Sequence, residues 1–380
     1  MIYLDNAATT KPCPEAVAIA TEVMTSKWGN PSASCGFGER SRAVITAARK
    51  QVAYALGAVP HEIYFTSGGT ESDNLAIFGA VTANAKHGNH IVTTAVEHSA
   101  VSKTMRNLRR EHGCEVTYVP MDDRTLDLQA LENSITDETV LVSVMLVQNE
   151  VGTVFPLPEI SKIVKRRNPN TLLHCDAVQG FGKIAFTVDE MGVDLLSVSA
   201  HKIHGISGCG ALYVREGTQL FARQFGGGQE SGLRSGTESV ALIAAFGEAV
   251  RITFANLAQN AAHITALRDY ALTELPRRFT NVIFNTDALC APHIVSFTLR
   301  GIEAANAVQA LGAQGICISN GAACKSNERG DDKRKQALEY YGLTDAQVRD
   351  TLRISFCGGN TFDEIDAMVA ELERWVLIGE

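Results

Sequence analysis

The sequence predicts an α/β fold: a large domain built on a mostly parallel sheet between helices, followed by a smaller α+β domain. Three observations carry this. From about residue 15 to 250, short apolar runs rich in β-branched residues alternate with longer stretches of helical periodicity. Alternation on this scale means right-handed crossovers and a sheet covered by helices on both faces. After a long helical stretch around 239–275 the alternation thins to fewer strands and three more helices.

Taken in order, the expected strands of the large domain are Glu62-Ile63-Tyr64-Phe65-Thr66, His90-Ile91-Val92-Thr93, Glu115-Val116-Thr117-Tyr118-Val119, Val140-Leu141-Val142-Ser143-Val144, Thr171-Leu172-Leu173-His174-Cys175 and Leu195-Leu196-Ser197-Val198-Ser199. Each is a short run rich in apolar and β-branched residues, of the length a strand needs. The smaller domain contributes Val282-Ile283-Phe284, Ile294-Val295-Ser296-Phe297 and helices near 303–312, 333–341 and 362–377. No internal repeat or low-complexity tract interrupts the chain. The one dense charge run, Lys325 to Gln336, holds eight charged residues in twelve and reads as a solvated loop.

Composition narrows the class of function. A chain of 380 residues that is 45% hydrophobic and 20% charged has the balance of a soluble globular protein, with room for two domains. A formal charge of −8 disfavours direct binding to a nucleic-acid backbone. The first residues lack the basic start and apolar core of a signal peptide, and no run approaches a membrane span. Nine cysteines, odd in number and without a C-x-x-C pair, suggest neither a disulfide framework nor a zinc knuckle, so a reducing, cytoplasmic setting is expected.

Three motifs carry chemistry. In Phe65-Thr66-Ser67-Gly68-Gly69-Thr70-Glu71-Ser72 a strand passes through two glycines into a helix, a start whose amides and dipole attract an anion such as phosphate. A glycine turn with Thr70 or Ser67 capping the helix explains it as well. Ser199-Ala200-His201-Lys202-Ile203-His204-Gly205 places a lysine at a strand end, where desolvation lowers an amine's pKa toward that of a nucleophile. His174-Cys175-Asp176-Ala177-Val178-Gln179 ends the preceding strand with a carboxylate able to hold a protonated pyridine nitrogen. Two alternatives stay open: His174, Cys175, His201 and His204 as metal ligands, and Asp176 as a helix cap.

With these motifs in hand, the chain resembles the pyridoxal-phosphate-dependent cysteine desulfurases, class-V aminotransferase relatives of fold type I. The resemblance runs nearly end to end: Tyr3-Leu4-Asp5-Asn6-Ala7-Ala8-Thr9-Thr10, Gly29-Asn30-Pro31-Ser32, the Ser-Gly-Gly-Thr-Glu-Ser turn, Glu97-His98, Asn149-Glu150-Val151-Gly152, Asp176 to Gln179, His201-Lys202, Gly226 to Glu230 with Leu233 to Thr237, the Cys324 loop, and Arg353-Ile354-Ser355. The Gly-Ala-Ala-Cys setting of Cys324 resembles the long-loop subgroup. The resemblance implies a large cofactor-binding domain over 12–255 and a small α+β domain over 1–11 and 256–380 that carries the catalytic cysteine loop.

It also implies roles. Lys202 is the Schiff-base lysine and proton carrier, Asp176 holds the ring nitrogen, Gln179 the ring hydroxyl, and His98 stacks on the ring and shuttles protons. Thr70, Ser199 and His201 cradle the phosphate of pyridoxal 5'-phosphate, with Thr237 reaching in from the second subunit of a homodimer. Asn149 contacts cofactor and substrate, and Arg353 forks the substrate carboxylate. Against these stand a surface lysine, a structural histidine and a salt-bridged arginine. Cys324 is the expected nucleophile toward the sulfur of L-cysteine, leaving a persulfide and alanine, for delivery to an iron-sulfur scaffold or a tRNA-thiolation enzyme. Ligation of an iron-sulfur cluster by Cys324 on such a scaffold is implied as well. No resident metal, membrane or direct nucleic-acid partner is expected. Selenocysteine lyase, another class-V enzyme and a catalytically silent sulfur-transfer platform are the alternatives. Three departures from the family pattern are His204-Gly205-Ile206-Ser207 after the lysine, Cys357 where glycine is usual, and the charged segment after Cys324.

Overall fold

The computed structural model describes residues 1–320 and 337–379. Its central feature is a seven-stranded sheet in the spatial order Ile63–Thr66, Gly210–Val214, Leu195–Ser199, Leu172–Asp176, Thr139–Ser143, His90–Thr94, Glu115–Val119. The last five in that order are mutually parallel, and Gly210–Val214 runs antiparallel to both its neighbours. Six strands therefore share one direction and one edge of C-terminal ends. Four of the seven are buried at every residue, because helices cover both faces and leave no polar side to alternate with. The apolar runs mark their strands to within a residue or two. Gly210–Val214 escaped that reading: it follows Gly208-Cys209, has no crossover helix before it and enters the sheet against the common direction.

The helical stretch expected over 239–275 is two helices, Val240–Ala255 and Leu257–Arg278, meeting at 71°. The first packs against Pro14–Ser26 and Gly36–Leu56 beside the large sheet, while buried residues of the second belong to a separate core. That core lies around a four-stranded antiparallel sheet ordered Val282–Phe284, Ile294–Leu299, Thr351–Ser355, Ser319–Asn320. Buried residues of Leu257–Arg278, Ala304–Ala313 and the C-terminal helix Phe362–Gly379 fill it. Arg353-Ile354-Ser355, read in the sequence only as a motif, lies in the fully buried strand Thr351–Ser355. Of the helix expected near 333–341, the described part is Ala337–Tyr340.

The N-terminal segment ties the two sheets together. Ile2–Tyr3 pairs in parallel with Ile316–Cys317, and Asp5 bridges to Ser355. Leu4 is buried in the core of the small sheet and Ala7 in that of the large one. Among the described residues no single helix is long and apolar enough to cross a membrane.

Candidate active site

The shared edge of strand ends is where polar groups collect, as expected of an open parallel sheet. At the end of Ile63–Thr66 the chain turns at Gly68, whose φ of +150° suits glycine, and the helix Gly69–Ala83 begins at once. A Cβ on Gly69 would stand 2.7 Å from Val178 Cγ2, so only glycine lets the first helical turn approach the 176–179 segment. Ser199 lies against the same turn: a Cβ on Gly68 would be 3.8 Å from its Oγ. Thr70 is exposed on that first turn.

Two adjacent strand ends supply the titratable core. Asp176, buried at the end of its strand, accepts the Val178 N–H at Oδ1 over 3.0 Å. Gln179 donates its amide to the Ala7 carbonyl at 2.8 Å. Directly after Leu195–Ser199 the single turn Ala200–Lys202 presents the lysine, whose Nζ donates to the carbonyls of Ala7 at 2.6 Å and Ala8 at 2.8 Å. The N-terminal segment is thus laid over the lysine turn: Thr10 bonds the His201 carbonyl through both its N–H and its hydroxyl, and Thr9 Oγ1 meets His201 Nδ1 at 3.1 Å. His204 belongs to the same seam. In a left-handed conformation, φ +65°, it donates its N–H to Thr10 Oγ1 and places Nδ1 3.0 Å from the Lys11 carbonyl. Cys357 is partly exposed, its N–H held by Asn360 Oδ1 at 2.8 Å.

His98 begins the helix Ser99–Glu111 as its N-cap, accepting the Ala100 N–H at Nδ1 over 3.2 Å. That bond assigns the neutral ring's proton to Nε2. Asp73, His98 and Asp176 bring donor atoms within 4.8 Å of one another. Burial raises the pKa of Asp176, with the charges of His98 and Lys202 opposing, and lowers that of His98. Glu97, hydrogen-bonded by Thr94 Oγ1 at 2.8 Å and Met145 N at 3.0 Å, is pushed up to about 8 by burial. His201 falls to about 4 through burial and then the neighbouring Lys202 charge, so its imidazole is neutral.

Arg353 comes from the other sheet. Buried at 4% exposure, it donates from Nη1 to the Asn149 carbonyl at 2.8 Å and from Nη2 to Asp5 Oδ1 at 2.7 Å. Arg353 is thus paired with Asp5, but in a buried setting and not in the surface salt bridge weighed from the sequence.

The structure thus gathers Asp176, Gln179, Ser199, His201, Lys202 and His98 along one sheet edge, and joins Arg353 to the backbone of Asn149. Thr237 is exposed, and no described hydrogen bond links it to this group. Cys324 lies outside the described residues. Sequence reasoning assigned no role to Asp5, Asp73, Glu97 or Gln148. Asp73 had a usable signal, a carboxylate among Gly69, Ser72, Leu75 and Ala76 on a helix whose inward faces are apolar or small. His174, weighed as a metal ligand, has its two nitrogens 2.9 Å from Ser143 Oγ and 3.1 Å from Ser197 Oγ.

Comparisons with known proteins agree with this geometry. The family model described as "Aminotransferase class-V" matches residues 2–368. A cysteine desulfurase IscS of Clostridium botulinum is 37% identical over 377 residues, 98% of this chain and 94% of that one. A NifS/IcsS protein homolog of Lactobacillus delbrueckii subsp. bulgaricus is 40% identical over 98% of this chain and 97% of its own. Among solved structures, a NifS-like protein superposes with a TM-score of 0.93 at 34% identity, covering 99% of each chain. With a lysine turn, a buried aspartate and a glycine-started helix on one sheet edge, and a family match spanning nearly its whole length, the chain belongs to the class-V aminotransferase family.

Proposed function

We propose that the chain is a cysteine desulfurase, taking sulfur from L-cysteine onto Cys324 and releasing L-alanine. The observation that carries this is the placement of Lys202 and Asp176 at adjacent strand ends, beside a glycine turn open to an anion and within a chain 37% to 40% identical to named desulfurases and their homologues. The donor set fits pyridoxal 5'-phosphate. Around it, Asp73 Oδ1, Glu97 Oε2, Gln148 Nε2 and Arg353 Nε are buried without hydrogen-bond partners, as in a site finished by a ligand. Lys202 would anchor the cofactor covalently, Asp176 hold its ring nitrogen and Gln179 its hydroxyl, and His98 stack on it. Thr70, Ser199, His201 and the Gly68–Gly69 helix start would receive the phosphate, with Thr237 from a second copy in a homodimer. When bound, the cofactor supplies an electron sink conjugated to the substrate Cα.

The chain's own residues do the rest. Arg353 and Asn149 fix the substrate's carboxylate end. Lys202 takes the proton from Cα and returns one. The Cys324 thiolate attacks the substrate sulfur: a sulfur–sulfur bond forms, the Cβ–sulfur bond breaks with its electron pair left on carbon, and protonation there completes alanine. The Cys324 persulfide then passes to a protein acceptor, an iron-sulfur scaffold on which Cys324 would also ligate a cluster, or a tRNA-thiolation enzyme, in the cytoplasm. Residues 12–255 act in this reading as the cofactor domain, and 1–11 with 256–380 as the domain that brings Arg353 and Cys324.

The test measures alanine and sulfide from L-cysteine, and alanine from L-selenocysteine, in the wild type, Cys324→Ala and Lys202→Ala. Cys324→Ala is expected to lose alanine formation from cysteine by at least about a hundredfold. Sulfur release at the wild-type rate in Cys324→Ala would remove it as nucleophile, and a strong preference for selenocysteine would make the chain a selenocysteine lyase.

A further inference from the structure

Asp73 has no task in the chemistry above, yet no carboxyl near the site is buried more deeply. It lies one turn into the helix Gly69–Ala83, 1% exposed, with Oδ1 buried and without a hydrogen-bond partner. A carboxyl oxygen of Asp73, one of Asp176 and a ring nitrogen of His98 lie within 4.8 Å of one another. The nearest group that could supply positive charge is His174, its Nε2 3.6 Å from Asp73 Oδ1. That ring is neutral: burial lowers it to about 3, and its nitrogens are engaged by Ser143 and Ser197.

The groups that face Asp73 are known from each neighbouring element. Asp176, Cys175 and His174 come from Leu172–Asp176, Glu97 and His98 from the segment after His90–Thr94, and the Ser197 hydroxyl from Leu195–Ser199. Two carboxyls this close in a desolvated site cannot both be charged. Asp176 has the stronger hold on the charge, since it accepts the Val178 N–H and is faced by His98 and Lys202. Asp73 has the Ser197 hydroxyl and, beyond that, other acids; burial and the Asp176 charge push its pKa well up. A proton on Asp73 converts an acceptor-only group into one with an O–H donor, and removes the like-charge repulsion from the Asp176 oxygen within 4.8 Å.

We propose that Asp73 is a positioning residue, kept as the neutral carboxylic acid, whose O–H holds the Asp176 carboxylate in place for the cofactor's ring nitrogen. The purpose rests on the assignment of Asp176 above, whereas the protonation is a property of the folded chain with or without cofactor.

The experiment has two arms, both on the full-length protein at neutral pH. Infrared spectroscopy in heavy water should show a protonated-carboxyl C=O band that Asp73→Asn removes and that remains when Glu97→Gln removes a second buried acid of the site. Titration of the bound cofactor's visible absorption should be nearly unchanged in Asp73→Asn, whose amide keeps a neutral donor. Asp73→Leu, with no donor, should shift its pH midpoint by about one unit and weaken cofactor affinity about tenfold. If Asp73→Asn removes no such band, the protonation is wrong. If the band is lost but Asp73→Leu titrates like the wild type, Asp73 is protonated without positioning anything, and the assignment of Asp176 to the ring nitrogen is the weaker link.

Discussion

The proposed cofactor end and the proposed carboxylate end of this site are built in opposite ways. Lys202, Ser199 and Asp176 sit at the ends of neighbouring parallel strands, each within a motif a few residues long. Arg353 is held instead by groups far away in the chain, the Asn149 carbonyl 204 residues off and the Asp5 carboxylate 348 residues off. The first end is a consequence of sheet topology, which needs only a polar residue after each apolar run. The second exists only once both sheets and the N-terminal segment have come together. In the proposed reading the first end does the chemistry and the second recognises the substrate, so substitutions at the two ends should fail differently.

The largest effect should come from Lys202→Ala. With no amine to anchor the cofactor or move the Cα proton, alanine formation should fall by roughly a thousandfold or more. Its thermal midpoint with cofactor absent should move only slightly, since Lys202 is half-buried and its amine bonds two backbone carbonyls. Measuring single-turnover alanine release beside a melting curve checks both. A loss of folding comparable to the loss of rate would break the distinction between the two ends.

At the carboxylate end the expected loss is smaller and of another kind. Arg353→Lys keeps the charge but not the fork, and a charge-assisted hydrogen bond is worth about 1.5–3 kcal/mol. KM for cysteine should therefore rise roughly ten- to a hundredfold, with kcat falling less. Asp5→Asn keeps an acceptor for Nη2 and should raise KM by less than about tenfold. Steady-state kinetics on the two variants, with melting curves, would sharpen the contrast. A change in kcat alone would place Arg353 in the chemistry rather than in binding.

The same contrast explains what could be read in advance. The strand ends were legible because an apolar run followed by glycine, aspartate or lysine is a local signal, and six of the seven large-sheet strands were recovered from such runs. Gly210–Val214 was not, since its place is set by antiparallel pairing to Leu195–Ser199 and Ile63–Thr66. Helix periodicity continued across Asn256, where the chain in fact bends to leave one core for the other. Arg353 was identified through family resemblance, but its pairing with Asp5 follows only from the bridge between Asp5 and Ser355. Asp73 carried a local signal in its small and apolar helix neighbours, but what buries it includes strands more than a hundred residues away.

The last expected effect is on stability rather than on rate, and it concerns the cofactor end. Glu97 lies under the site without a charged partner among its described hydrogen bonds, which come from Thr94 and Met145. Its pKa in the folded chain is raised from 4.5 to about 8 by burial. A raised carboxyl favours the folded state fully below the unfolded value, and that contribution is lost as pH rises between the two values. Glu97→Gln keeps the acceptor oxygen for both hydrogen bonds and does not titrate. The variant should therefore gain stability over the wild type from about pH 4.5 upward, at up to about 1.4 kcal/mol per pH unit, and the gain should level off above about pH 8. Denaturant unfolding of both proteins across that range, with cofactor removed, measures the slope. A flat difference would mean that Glu97 is charged in the folded chain, and that this end of the site carries more negative charge than its burial allows. A rising one would show that the end built by local sequence is also the end that gives up stability to hold its acids ready.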